Sequence, residues 1–204
     1  RRLRAEALGL AARLAPLLEP PRRGPRELLR RLRSEACATR NFLTNLQRER
    51  TGRHDLLPLY FIWTVLRTCN FRCTYCDDHR GQSYPELDGR GMLDTACAQR
   101  LLAVMRTSTP AVYFAGGEPT LRRDLPALVR TARDLDYLPI TVNTNGSVLG
   151  RLLERPDWRT FLADVDILIF SLDALNLEHL DALYQTRRSV DILRNLLCVR
   201  SLAD

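Results

Sequence analysis

The chain has 204 residues, 45% hydrophobic and 27% charged, a globular composition of about one domain that excludes collagen-like, low-complexity and wholly disordered classes. Its longest nearly uninterrupted apolar run, Leu56 to Leu66, contains Pro58 and covers 11 residues, about half of the ~20 that a bilayer-spanning helix needs. The net charge of +7 divides unevenly, with 14 Arg against 5 Glu in residues 1–53 and 17 Arg against 19 acids in residues 54–204. The main body is therefore near neutral, nucleic acid is not the expected partner, and the basic arm reads first as the solvated face of surface helices.

From Arg1 to Leu18, leucines recur at Leu3, Leu10, Leu14, Leu17 and Leu18 between arginines, an amphipathic helical pattern. Pro20-Pro21-Arg22-Arg23-Gly24-Pro25 breaks it. A second helix is expected over Arg26–Arg50, with Leu28, Leu29, Leu32, Phe42, Leu43 and Leu46 as its apolar positions and Thr51-Gly52 as its end. After Pro58 the period changes. Leu59–Leu66, Ala111–Ala115, Pro139–Asn143 and Val165–Leu172 are continuous apolar and β-branched runs, as expected of strands buried on both faces of a parallel sheet. Helical patterns separate them: Leu93, Cys97, Leu101 and Val104; then Leu125, Leu128, Val129, Ala132 and Leu135 after Asp124; then a poorer stretch from Ser147 to Leu162. Ile192, Leu193, Leu196 and Leu197 close the chain. Strand and helix alternating four times predict an α/β fold with a parallel sheet, in which ligands sit at the carboxyl ends of the strands. The expected division is a basic helical appendage over residues 1–53 and an α/β domain over residues 54–204.

Polar clusters fall at four consecutive strand ends. Cys69, Cys73 and Cys76 share one short loop after the first strand. Three thiolates can converge on one metal centre, and they are one short of the four that a closed zinc site or a saturated iron–sulfur cube requires. Gly116-Gly117-Glu118-Pro119 follows the second strand, where the glycines permit close backbone approach to a ligand and Glu118 is expected to set a carboxylate at the rim. Asn143-Thr144-Asn145-Gly146 ends the third strand, and Ser171 and Asp173 end the fourth. Cys37, Cys97 and Cys198 are isolated in helical context and read as small buried hydrophobes. Cysteine usage without a secretory signal points to an intracellular, cytoplasmic protein.

The Cys-x3-Cys-x2-Cys loop with Tyr75 before its last cysteine, followed by Gly-Gly-Glu-Pro, resembles the radical S-adenosylmethionine (SAM) superfamily over roughly Leu59 to Asp204. Within it the motifs look most like the branch holding the molybdenum-cofactor cyclase, the peptide-modifying maturases and the sulfatase-maturing enzymes. The resemblance implies a partial parallel (β/α) barrel and a [4Fe–4S] cluster on Cys69, Cys73 and Cys76 whose fourth iron is chelated by SAM. It implies further that Tyr75 lies against the adenine and that Gly116, Gly117 and Glu118, before Pro119, hold the methionyl amino group. Asn145, Ser171 and Asp173 become candidates for ribose or carboxylate contacts. The implied reaction is one-electron cleavage of SAM to methionine and a 5′-deoxyadenosyl radical that takes hydrogen from an unknown substrate, fed by a one-electron donor such as a flavodoxin or ferredoxin.

Two other readings stand beside this one: a non-catalytic interaction module with zinc on the three cysteines and His79 or Asp77, and an inactive remnant that binds but does not cleave SAM. Asp77-Asp78-His79-Arg80 suits either a substrate mouth or a solvated loop. The family's barrel has six βα units and four are legible here, so the barrel is expected to be truncated and the chain part of a longer protein.

Overall fold

A computed structural model describes residues 1–22, 24–76 and 92–203. Four strands, β1 (Tyr60–Leu66), β2 (Ala111–Gly116), β3 (Ile140–Thr144) and β4 (Ile167–Phe170), form one sheet in the order β1-β2-β3-β4, with every neighbouring pair parallel. Chain order equals spatial order because each step is a crossover that returns the chain to the same edge. Helices α3 (Thr95–Arg106) and α4 (Leu125–Asp134) make the first two crossovers. The stretch from Ser147 to Leu162, expected as one poor helix, is two short helices, α5 (Leu149–Leu152) and α6 (Phe161–Asp164), with a tight turn at Pro156–Trp158 between them. Pro156 cannot donate to a helical ladder and breaks it. Helix α7 (Leu177–Tyr184), which the apolar pattern did not signal, follows β4, and α8 (Ser189–Ala203) comes last.

Alternation along the strands sorts the sheet into two faces. Val65, Val112, Phe114, Ile140 and Val142, with Phe61, Trp63, Leu168 and Phe170 packed against them, join Leu102, Leu125, Leu128, Trp158 and Phe161 in the main core. The other face carries Ile62, Tyr113, Thr141 and Ile167 in register, and Ile62 and Ile167 are exposed there.

The amino-terminal helices are not loose. Helix α1 (Arg2–Leu14) buries Ala7, Leu10, Ala11 and Leu14 at helical spacing and packs along α8, inside the same core as the sheet.

Helix α2 (Pro25–Arg50) reverses the expected amphipathicity. Its buried residues are Arg30, Ser34 and Asn41, all on the face that crosses the amino ends of the strands. Asn45 donates to Leu57 O and accepts from Leu57 N, while Asn41 donates to Pro58 O and Ser108 O. Ser34 reaches Pro110 O and Leu138 O, and Arg30 reaches Tyr137 O and the Asp166 carboxylate. Strand starts leave carbonyls without partners, and buried backbone groups must be satisfied. One helix face satisfies four strand starts, so Leu28, Leu29, Leu32, Phe42 and Leu43 are left exposed.

Candidate functional site

The cysteine loop leaves β1 and lies directly on the turn after β2. Gly117 N donates to Leu66 O at 2.8 Å and Glu118 N to Thr68 O at 2.9 Å. A Cβ at Gly116 would stand 2.2 Å from Leu66 O, and one at Gly117 would stand 2.3 Å from Thr68 O, so no larger residue fits either place. These glycines thus let the backbone come close to the stem of the cysteine loop, and both also line the cleft described below. The loop's far side is held by α7: Arg72 N and Thr74 N donate to Tyr184 O and Leu183 O, and buried Phe71 stacks on Tyr184 at 5.5 Å.

Glu118 does not set its carboxylate at the rim, as its place after the strand suggested. Its side chain is 1% exposed and turns inward, away from the rim. Oε1 accepts from Thr120 N, Thr120 Oγ1 and Thr144 Oγ1, and Oε2 from Asn145 N. Burial pushes this carboxyl up and the donated hydrogen bonds pull it back, leaving it above the ordinary range. The carboxylate therefore ties the end of β2 to the end of β3. Pro119 is buried in the tight turn after it and does not line the cleft formed above. Asn145 is buried too: its Oδ1 accepts from Ser147 N and Oγ, and its Nδ2 donates to Asn70 Oδ1 at 2.9 Å. Asn70 Nδ2 in turn donates to Ser147 Oγ. Asn145 thus grips the residue after Cys69.

On this scaffold the expected clusters meet. Cys69, Cys73, Tyr75, Cys76, Gly116, Gly117, Glu118, Asn143, Thr144, Asn145 and Ser171 line one cleft with Phe71 and Tyr184, enclosing about 150 Å³. All three cysteines are free thiols. Burial pushes the Cys69 thiol up to about 11, with the Glu118 carboxylate and the neighbouring cysteines acting in the same direction, and burial also raises Cys73. Asp173 stands beside the cleft and accepts from the hydroxyls of Tyr75 and Tyr184, the latter at 2.6 Å. Ser171 Oγ donates to Asn143 Oδ1 at 3.3 Å. Asp77, Asp78, His79 and Arg80 lie outside the described residues.

The profile of the Radical SAM superfamily matches residues 63–201. The chain belongs to the radical SAM superfamily. It is 35% identical over 118 residues to a GTP 3′,8-cyclase of Klebsiella pneumoniae, covering 56% of this chain and 35% of that protein. To a GTP 3′,8-cyclase of Mycolicibacterium smegmatis it is 34% identical over 136 residues, covering 65% and 36%. To a 7,8-dihydro-6-hydroxymethylpterin dimethyltransferase of Methanocaldococcus jannaschii it is 36% identical over 95 residues, covering 43% and 17%. The chain spans about a third of the length of the two cyclases it matches. No helix among the described residues is long and apolar enough to cross a membrane.

Three free thiols on one short loop, bordering one cleft, are a donor set that fits a cube with one iron left open, each cysteine taking a different iron.

Tyr184, Asn70 and Ser147 are parts of the site that sequence reading missed. Asn70 and Ser147 adjoin recognised motifs and were within reach, whereas nothing in the sequence around Tyr184 singles it out.

Proposed function

We propose that residues 54–204 form the cofactor-binding part of a radical SAM enzyme, with a [4Fe–4S] cluster on Cys69, Cys73 and Cys76 and SAM on its remaining iron. The observation that carries this reading is the meeting of three free thiols with the ends of β2, β3 and β4 in one cleft. When bound, the cluster supplies one electron to the sulfonium of SAM, releasing methionine and a 5′-deoxyadenosyl radical that takes hydrogen from the substrate. The chain's own part is binding and alignment. The Gly116–Glu118 backbone, with the buried Glu118 carboxylate beneath it, favours a cationic amino group at that end of the cleft. The Tyr75 ring, fixed through Asp173, flanks an adenine, and Ser171 and Asn145 border the ribose and carboxylate. The substrate belongs to the whole protein, and a small electron carrier such as a flavodoxin or ferredoxin supplies the reductant.

Anaerobic reconstitution with iron and sulfide tests the proposal. Four irons and four sulfides per chain, and 5′-deoxyadenosine released from SAM under reduction, are expected; Cys73→Ala should lose the cluster and the product together. A colourless protein holding one zinc and no sulfide would overturn it.

A further inference from the structure

Helix α2 presents an apolar ridge to solvent along most of its length. Leu28, Leu29, Leu32, Phe42 and Leu43 are 45–59% exposed, and the exposed residues Ala36 and Thr39 lie between the two groups on the same face. The ridge exists because the opposite face is committed to the strand starts through Arg30, Ser34, Asn41 and Asn45. Arg26, Arg33 and Arg40 border one side of the ridge, while on the other side Arg31 pairs with Glu27 and exposed Glu35 lies one turn further along. Arg33 also reaches Asp136, while Arg40 bonds only to neutral Cys37 and Asn41 among the described residues. The segment 1–53 that contains α2 carries 14 Arg against 5 Glu, while the rest of the chain carries 17 Arg against 19 acids.

We propose that α2 docks the protein on an anionic lipid surface, its leucines and phenylalanine in the interfacial region and its arginines among the headgroups. A second copy fits less well. Antiparallel two-fold pairing across the ridge puts like flanks on the same side, setting Arg33 and Arg40 of one helix beside Arg40 and Arg33 of the other. The ridge is convex, with apolar side chains projecting at both ends, so a protein partner would have to bring a matching groove. An anionic bilayer interface deforms around it and offers negative charge to the border that carries Arg26, Arg33 and Arg40.

Sedimentation of the chain with extruded vesicles tests this. Phosphatidylcholine vesicles containing roughly a third phosphatidylglycerol should bind it at least about tenfold more than phosphatidylcholine alone, and raising salt from about 0.05 M to about 0.3 M should weaken binding severalfold. The double variant Leu32→Ser/Leu43→Ser, exposed at both positions, should lose at least about tenfold of the partition with unchanged circular dichroism. Independently, the emission of a Phe42→Trp variant should be quenched by brominated lipid. Wild-type chain left in the supernatant with both vesicle types, unchanged binding by the double variant, or no quenching would each overturn the proposal, as would a wild-type dimer that the double variant dissociates.

Discussion

At the amino ends of the strands a helix from outside the sheet supplies Arg30, Ser34, Asn41 and Asn45 to the strand starts. At the carboxyl ends the strands tie one another, through Glu118, Thr144 and Asn145. Both arrangements satisfy buried polar groups, but they leave different surroundings. The helix closes its end and shows an apolar back to solvent, whereas the strand-end knot leaves a cleft open above it, bordered by three thiols. Damage at the first end should therefore loosen a helix and spare the cleft, and damage at the second should displace the cysteine loop. Separate measurements of stability and of iron uptake distinguish the two.

The largest effect is expected from Arg30→Met. Arg30 is buried and meets Asp166, Glu27 and the carbonyl of Tyr137, so its removal leaves two partly buried carboxylates without their partner and should cost about 3 kcal/mol, lowering Tm by roughly 6–12 °C. Iron and sulfide bound per folded chain should stay at the wild-type level. Glu27 adds a pH signature. Burial raises its carboxyl, but Arg30 and Arg133 more than offset this and hold it below 4.5. A lowered carboxyl contributes stability that is complete above its unfolded pKa and is lost as pH falls through the folded one. Wild type should thus weaken below about pH 4.5, and Arg30→Met less steeply. Equal acid sensitivity in both would mean that the guanidinium does not hold Glu27.

Glu118→Gln should come second in stability and first at the cleft. The amide places an N–H₂ group against Thr120, Thr144 or Asn145, all of which donate to Glu118 now, and an unpaired buried donor costs about 2 kcal/mol. Because Asn145 holds Asn70 next to Cys69, cluster retention should fall severalfold while the helices remain. A variant as unstable as expected but with full iron and sulfide would separate the knot from the cysteine loop and break the comparison.

The sequence made these two ends unequally legible. All four strands stood out as continuous apolar runs, although burial on both faces, which such runs suggest, is not what the sheet shows: Ile62 and Ile167 on its second face are exposed; the cleft followed from the rule that parallel strands present their carboxyl ends to ligands. Direction was the hidden quantity. A helical period in Leu28, Leu32 and Leu43 says that α2 has two unlike faces, and it is silent on which one meets the protein. The second period, Arg30, Ser34, Asn41 and Asn45, was equally visible and marks polar groups at spacings that fit capping of strand starts. Glu118 misled in the same way: Gly-Gly-Glu after a strand locates the residue, but only the neighbouring donors Thr120, Thr144 and Asn145 turn its carboxylate inward. Tyr184 was out of reach because α7 meets the cysteine loop through a contact between residues 71 and 184, a separation over which local pattern carries no information.

The smallest effect on stability, under about 1 kcal/mol, is expected from Asp173→Asn, and it bears on the cleft alone. Burial raises the hydroxyls of both Tyr75 and Tyr184, and the Asp173 carboxylate that accepts from them raises them further. Asparagine can still accept a hydrogen bond but carries no charge, so the burial component stays and the charge component goes. Phenolate absorbance near 295 nm should then appear at lower pH in the variant than in wild type. A phenol whose folded pKa is raised contributes stability that is full below about pH 10 and lost as pH rises through the higher folded value, so wild type should lose more stability on alkaline titration than the variant. Tyr75 is itself 53% exposed, which leaves the Asp173 contact as its main restraint over the cleft. Identical titration curves would mean that the two hydroxyls do not share that carboxylate, and that the ring of Tyr75 reaches the cleft unheld.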